Sequence, residues 1–413
     1  MQAHLKPNQR LATASKSTNS LGEGFAATQA AWRFYANEKT TLSCLSEPLL
    51  EATSVGIEKY CDEYALVVHD WSSVNYSKHK SKKDKKILHN EYEQGYELQS
   101  SVVVSDRNGV PVGVLAQNLT TIDGVLSSYR GEGLHVEQSH LQELAARVQW
   151  IEKQEVSKHL VHIVDREGDA MEWLRAVPKS RWLVRCRQNS TVNFNGRGYK
   201  LSELAQELTY SQEAVEIEYK GKVAGLTFAH ADVVLSRAAK PKRLNNQKVK
   251  IIEGEALAAQ FVVTRLIDEQ QNVLAQWYLL CNVADISPQT IATWYYWRWQ
   301  IECFFKLLKQ QGLQLEEWQQ ETALAIAKRL LVACQACVLV WQLQHENTPQ
   351  ANETKIFLVR LTQRQMKKNK PVTPSALMEG LWLFLMMSEV FDNYSAQQLA
   401  QFKQVASAFW ATS

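Results

Sequence analysis

Two short apolar runs each end in an aspartate. The first is YALVVHD, residues 64–70, and the second is HLVHIVD, residues 159–165. Apolar runs of this length, rich in Val, Ile and Leu, are typical of strands buried inside a sheet. An aspartate at the end of such a strand can point its side chain into a cleft at the sheet edge. The two runs therefore predict a central sheet that presents Asp70 and Asp165.

The segments around these runs predict the order of a mixed sheet. They are, in chain order, strands at 64–70, 95–106 and 110–119, a helix at 138–158, a strand at 159–165, a helix at 170–176 and a strand from Trp182. The order β-β-β-α-β-α-β is that of a ribonuclease-H-like core, in which three antiparallel strands precede parallel strands reached through helices. We therefore predict an α/β fold built on such a core.

Helical regions are predicted at both ends, and a β-rich insertion interrupts the core. Apolar residues recur at helical spacing within 24–37 and 46–60, and an apolar helical tail fills 373–410. The stretch before the last strong helix is strand-like, with basic and Gly-containing turns. The predicted regions are an N-terminal helical region at 1–60, an α/β domain at 61–320 with the insertion at about 190–280, and a C-terminal helical region at 321–413.

A long helix is predicted between Ser287 and Gly312. Ser287 suits the N-cap position, Pro288 suits the first turn, and Gly312 suits the C-terminal stop. A second amphipathic helix is predicted at 322–345.

One face of the first of these helices gathers charged and aromatic side chains. Its members, at i, i+3, i+7 and i+14, are Tyr295, Arg298, Glu302 and Lys309. The opposite face is predicted to carry Trp299, Phe304 and Leu308. One acid between two cations would supply a metal ligand flanked by phosphate-binding groups. The alternative is an exposed helix with i,i+4 ion pairs.

Three carboxylates are the candidates for chemistry. Metal-dependent phosphoryl transfer needs hard oxygen ligands that converge on divalent ions, and Asp70, Asp165 and Glu302 could supply them. If the first and fourth strands are neighbours, the two aspartates form a costly like-charge pair that a metal would neutralise. Capping is the alternative for each, a turn before Ser72 for Asp70 and an N-cap for Asp165. Asp106 also ends a strand, but its hairpin turn accounts for it.

Composition limits the partners and the compartment. The net charge is only +3, so a nucleic-acid partner must be argued from local patches rather than from overall charge. The seven cysteines are scattered, which predicts reduced thiols, and Cys334 and Cys337 are expected to pack in a core. No signal peptide is apparent and the apolar run 330–341 is too short to span a bilayer, so a cytoplasmic protein is expected.

Several motifs resemble the IS-four family of DDE transposases, particularly its Tn-five-like branch. The segment Tyr295-x2-Arg298-x3-Glu302-x6-Lys309 is similar to the YREK signature of that family. Residues 165–169, DREGD, resemble the motif of its second aspartate, and His69-Asp70 with the residues after it resembles the first. Residues 26–39 are similar to its N-terminal domain, so the resemblance covers most of the chain.

The resemblance implies a cut-and-paste transposase that acts through two Mg²⁺ or Mn²⁺ ions held by Asp70, Asp165 and Glu302. It also implies that double-stranded transposon ends and target DNA are the partners and that a homodimer forms in the DNA complex. The residues that would contact DNA are Tyr295, Arg298, Lys309, Arg185 and Trp277, the last by stacking on a flipped base of a hairpin intermediate.

Two rival functions stay open on the sequence. Relatives carry more residues before the segment at 9–11, so sequence-specific binding of the ends is in question. A shortened, non-catalytic regulator that binds DNA or pairs with a full-length transposase is the first alternative. A structure-specific nuclease is the second, and the signature face and the β insertion disfavour it.

Overall fold

The computed structural model describes residues 21–239, 253–310, 313–365 and 372–410. Its strands are β1 Tyr64–Asn75, β2 Lys86–Ile87, β3 Gln94–Ser105, β4 Pro111–Thr120, β5 Val125–Ser127, β6 Leu134–His135, β7 His159–Val164, β8 Arg181–Cys186, β9 Thr191–Phe194, β10 Arg197–Lys200, β11 Val215–Tyr219, β12 Lys222–Leu235, β13 Leu257–Ile267 and β14 Val273–Cys281. Its helices are α1 Leu21–Ala36, α2 Leu42–Tyr60, α3 His140–Ile151, α4 Met171–Ala176, α5 Leu201–Glu207, α6 Pro288–Trp297, α7 Gln300–Lys309, α8 Ala323–His345, α9 Pro349–Leu361, α10 Pro374–Asn393 and α11 Ala396–Trp410. The protein is thus a mixed α/β fold.

All the described strands join one large sheet. Its order is β10-β9-β12-β13-β14-β8-β7-β1-β3-β4-β5-β6, with β11 beside β12 and β2 beside β3. At its centre β1, β7 and β8 are parallel, while β3 and β4 follow β1 as antiparallel neighbours. Helices α3 and α4 make the crossovers to β7 and β8, as parallel neighbours require.

The strand β1 is longer than the sequence predicts. Its parallel pairing with β7 ends at the pair His69 and Val164, but its antiparallel pairing with β3 continues to Asn75. Asp70 therefore lies within a strand rather than at its end. It is the first residue beyond the parallel ladder, and Asp165 is the first residue beyond the same ladder on β7.

The β-rich insertion is continuous with the core sheet. Strand β14 pairs antiparallel with β8, through Cys281 and Leu183 among others, and β13 and β12 extend the sheet from there. The insertion also contains α5, which the strand-like pattern did not predict. The basic turn at 240–248, part of that prediction, lies outside the described residues.

The predicted long helix is two helices. Helix α6 begins after the Ser287 cap, as predicted, but ends at Trp297, and α7 begins at Gln300. Arg298 and Trp299 form the break between them, both with right-handed helical backbone angles. The predicted stop at Gly312 lies outside the described residues.

Helix α8 lies in the main hydrophobic core. It begins at the Thr322 cap and ends at His345, as predicted, and Trp341 packs against Phe304 of α7 with ring centroids 5.7 Å apart. Within the described ranges, this is the one helix whose length and apolar composition would suit a membrane span. Such a helix is weak evidence for a membrane, since core helices share these properties, and 83% of its most apolar window is buried inside the protein.

The seven cysteines are free thiols. Cys334 and Cys337 are buried in the core around α8, which confirms their predicted packing role. Burial raises the pKa of both thiols.

The hairpin between β3 and β4 fixes one end of α6. Gly109 in its turn has φ +72°, and a Cβ there would lie 2.4 Å from the Trp297 ring. Left-handed backbone and close contact with a ring both require glycine at this position. The predicted turn thus also seats the helix that leads to Arg298.

We expect Gly109→Ala to lower the free energy of unfolding by about 2 to 4 kcal/mol, the sum of backbone strain and overpacking. Gly196→Ala is the matched control, because Gly196 has φ +78° but no atom within 4 Å of the added Cβ. Its cost should be about 1 kcal/mol. Urea denaturation of both variants measures the difference, and equal costs would show that the Trp297 contact is unimportant.

Candidate functional site

The candidate site lies where the parallel ladder of β1 and β7 ends. Asp70 and Asp165 follow paired residues on these neighbouring strands, so the sheet brings their backbones together. Glu302 reaches the same place from the first turn of α7. Three carboxylates from three elements therefore converge at one edge of the parallel strands.

Arg298 lies between two of these carboxylates. Its Nη1 donates to Oδ2 of Asp70 at 3.0 Å, and its Nη2 donates to Oε1 of Glu302 at 2.7 Å. The Arg298 residue is 8% exposed. It caps the end of α6 with right-handed helical backbone angles, four residues before Glu302. The predicted i,i+4 ion pair with Glu302 thus exists, but it is buried rather than on an exposed helix.

Asp165 is held by a second set of contacts. Its Oδ1 accepts the Tyr295 hydroxyl at 3.2 Å and lies 3.4 Å from Nη1 of Arg185. It also accepts the backbone N–H of Arg166 at 2.7 Å and caps the short 3₁₀ helix Arg166–Gly168. The capping role and convergence on the carboxylate cluster, which the sequence offered as alternatives, are both present.

The surroundings of Asp70 disfavour the ionised form of its carboxyl group. Burial raises the pKa of Asp70, and the neighbouring charges of Asp165 and Glu302 raise it further. Arg298 and the Trp71 backbone N–H oppose this shift without cancelling it. Burial alone would lower the pKa of Arg298, but Tyr295 and the three carboxylates raise it above its usual range. The carboxylates thus need a cation, and the guanidinium provides one.

Lys309 lies further along α7. Its Nζ donates to the backbone carbonyl of Ser73 on β1 and lies 3.6 Å from Oε1 of Glu316. Burial lowers the pKa of Lys309, while Glu316 opposes that shift. The lysine therefore extends the line of cations beside β1.

Two tryptophans differ in their surroundings. Trp277 on β14 is partly buried and packs edge-on against Tyr295, with ring centroids 5.2 Å apart. Trp299 is 59% exposed, whereas Phe304 and Leu308, predicted to share its face, are buried. The prediction was wrong for Trp299 because five residues of helix, at about 3.6 residues per turn, place it on a different face from Phe304.

A neighbouring cluster was not found from the sequence. His140 of α3 lies 2.9 Å from Glu97 and 3.0 Å from Glu167, and it stacks on Trp71, the residue after Asp70. Hydrogen bonds to Glu167 and then Glu97 raise the pKa of His140 to about 9. These residues lie far apart in the chain, so no spacing signal could have joined them. Their contacts fix the backbone around Asp70.

Two adjoining cavities open beside Asp165. One has a volume of about 890 Å³ and the other about 580 Å³, and Arg166, Arg187 and Asn189 line both. Arg185 lines the smaller cavity, and Arg237 lines the larger. The smaller cavity, lined by three guanidinium groups and no carboxylate, suits an anionic ligand, whereas the larger is also lined by Glu167, Asp169 and Glu172.

The donor chemistry of the three carboxylates fits a divalent metal ion. Carboxylate oxygens are the hard ligands that Mg²⁺ and Mn²⁺ prefer, and the cluster already requires a positive charge. Across the described ranges, however, no three His, Cys, Asp or Glu side chains form a metal-binding group. Arg298, which lies between Asp70 and Glu302, accounts for this spacing.

A family model described as the transposase DDE domain matches residues 133–341, about half of the chain. The chain belongs to this transposase family. The matched stretch includes Asp165 and Glu302 but begins after β1, so it does not include Asp70. Among curated proteins, none matched the chain.

The pKa shift of Asp70 gives a stability prediction. Because the folded state holds the Asp70 proton more tightly than the unfolded chain does, ionisation of Asp70 lowers the free energy of unfolding as pH rises through its folded pKa. Asp70→Asn should therefore raise the melting temperature at pH 8 in EDTA. The gain should vanish as pH falls below about 4, near the ordinary carboxyl pKa. A variant less stable than wild type at pH 8 would contradict the raised pKa.

Proposed function

We propose that the protein is a cut-and-paste DNA transposase of an insertion sequence, with Asp70, Asp165 and Glu302 as its catalytic residues. The observation that carries this proposal is the convergence of the three carboxylates at the end of the β1 and β7 ladder, around Arg298. Membership of the transposase DDE family supports the same reaction class.

We also assign the core to the ribonuclease-H-like folds. The strand order β4-β3-β1-β7-β8, with two antiparallel and then parallel neighbours, supports this assignment. We place the protein in the IS-four family, Tn-five-like branch, on its YREK-like residues.

The three carboxylates would hold two divalent ions, Mg²⁺ or Mn²⁺, which supply activation of the attacking oxygen and neutralisation of charge on the phosphate. Tyr295 orients Asp165 through its hydroxyl, and Arg298 balances Asp70 and Glu302. Preorganised groups of this kind contribute to catalysis because they need not rearrange during the reaction.

The proposed reaction is a series of phosphoryl transfers. A water oxygen bonds to phosphorus at the transposon end, and the bond to the 3′ oxygen breaks to leave a 3′ hydroxyl. That hydroxyl attacks the opposite strand and forms a hairpin, with the flanking 3′ oxygen as the leaving group. A second water bonds to the hairpin phosphorus and releases the transposon 3′ hydroxyl, which then attacks a target phosphodiester and displaces a 3′ oxygen of the target strand. The same reacting geometry serves each step.

The proposed DNA contacts are Tyr295, Arg298, Lys309, Arg185 and Trp277. Arg185 lines the basic cavity beside Asp165, which supports a phosphate contact there. Trp277 lies against Tyr295, close enough to the site to stack on an extruded base. We further propose that the active form is a homodimer on DNA and that it works in the cytoplasm at the nucleoid.

The first test of this function removes the carboxylates one at a time. We expect Asp70→Ala, Asp165→Ala and Glu302→Ala each to abolish Mg²⁺-dependent cleavage of the element's own ends, while DNA binding persists because phosphates are bound by other groups. Glu155→Gln, an exposed acid before β7 at the opposite edge, is the control and should cleave normally. Cleavage of a labelled end duplex by any of the three alanine variants would refute the site.

A second test separates phosphate contacts from internal ion pairs. If Arg298 and Lys309 neutralise phosphates, replacing either with Ala should reduce the slope of log K against log salt by about 0.9. Glu302→Gln should leave the slope unchanged. Gel-shift titrations between 50 and 200 mM salt, roughly the range over which such contacts are resolved, provide the measurement. Unchanged slopes in the alanine variants would show that Arg298 and Lys309 make only contacts within the protein and none with phosphates.

A further inference from the structure

A lysine-rich segment follows directly after the strand that carries Asp70. Residues 78–86, here called the lysine loop, contain six lysines and one aspartate, a net charge of +5 against +3 for the whole protein. The positive excess of the chain is therefore concentrated in this loop. Like charges this dense repel one another, so such a segment requires either compensation or an anionic ligand.

Part of the loop is built into the fold. Lys82 is buried, and its Nζ donates to the Trp318 carbonyl at 2.8 Å and lies 4.5 Å from the centre of the Tyr76 ring. Lys85 donates to the carbonyls of Tyr76 at 3.2 Å and His79 at 2.8 Å. These bonds use two lysines to fix the loop conformation.

Lys86 forms an ion pair with Glu137 at 2.8 Å, but within the described ranges the other three lysines of the loop have no such partner. Lys78, Lys80 and Lys83 are exposed, and no carboxylate of the described residues lies within ion-pair distance of them. The one acid of the loop, Asp84, faces inward, where it accepts the Tyr96 hydroxyl and the backbone N–H of Ala323. Burial, and then the charge of Lys83, lower the pKa of Lys85. Lys83 Nζ donates to the Lys80 carbonyl at 3.2 Å, a neutral acceptor, so in the part of the chain that the structure describes the positive charges of these three exposed lysines are left without a carboxylate partner.

The lysine loop continues the line of cations that begins at the carboxylates. Arg298 contacts Asp70, and Lys309 contacts Ser73 further along β1. From Asp70 to Tyr76 the strand rises by about 20 Å, at roughly 3.3 Å per residue. A DNA strand covers that distance in about six nucleotides, at roughly 3.4 Å each.

Resting on the proposed function, we propose that Lys78, Lys80 and Lys83 bind the phosphate backbone of duplex DNA that lies outside the transposon end. Lysines are point charges without the planar fork that reads a base edge, and phosphate contacts carry no sequence information. The exposed positions hold no Arg, Asn or Gln. Such a surface suits DNA of arbitrary sequence. Flanking DNA has an arbitrary sequence, whereas the transposon end has a fixed one.

The experiment compares two triple variants that lose the same charge. The test variant is K78A/K80A/K83A, and the control is K153A/K158A/K179A, whose lysines precede β7 and β8 at the opposite edge of the sheet. The probe is a fluorescein-labelled 30-base-pair duplex of arbitrary sequence, titrated by anisotropy at several salt concentrations. The test variant should bind roughly 10- to 100-fold more weakly near 0.1 M salt, with a salt slope reduced by about 2 to 3.

A second comparison identifies which DNA the loop contacts. End duplexes that stop at the cleavage point are compared with duplexes that carry 15 base pairs of flank, and the test variant should lose affinity only for the flanked form. K78R/K80R/K83R keeps the charge and should restore binding, while unchanged melting temperatures exclude a folding defect.

The outcomes distinguish the two proposals. If wild type binds and cleaves ends but the test variant matches the control on every probe, the lysine loop assignment is wrong and the transposase assignment stands. Equal losses on flush and flanked ends would also overturn it, because the loop would then contact the end itself. If wild type binds no DNA, both proposals fail.

Discussion

The mutual repulsion of three carboxylates is the constraint on which the site depends. Asp70, Asp165 and Glu302 meet at one sheet edge, and burial makes the charge of Asp70 still more costly. Arg298 offsets that cost by lying between two of them, at the point where α6 ends. The helix break, the hairpin that seats Trp297 and the parallel ladder are therefore parts of one electrostatic arrangement.

Much of the fold could be predicted from local patterns. The hydrophobic runs indicated β1 and β7. The two predicted helices that start at Ser287 and Thr322 begin there in the structure, and the turn between β3 and β4 lies at Gly109 as predicted. The rest depended on tertiary pairing. Strand β1 continues to Asn75 because β3 pairs with it beyond the parallel ladder, and no local pattern encodes that partner.

The sequence predicted which residues form the candidate site but not how they are arranged. Residue spacing selected Arg298 and Glu302, but it did not predict the break between α6 and α7 or the exposure of Trp299. The cluster of His140 with Glu97 and Glu167 left no signal, because its members come from three separate elements. Sequence patterns report neighbours along an element, whereas this cluster exists only once the sheet and α3 have packed.

The pairing of β14 with β8 has a consequence for how the chain acquires its structure. Cys281 is paired with Leu183, so the core sheet gains its next strand only after the whole intervening insertion has been made. Until then β8 is an open edge with unpaired backbone groups, the kind of surface that recruits strands from other chains. Contacts this distant in sequence form slowly because a long loop must first be closed. The insertion is therefore not a removable module: without it, the strand next to Asp165 would be left as a site for aggregation.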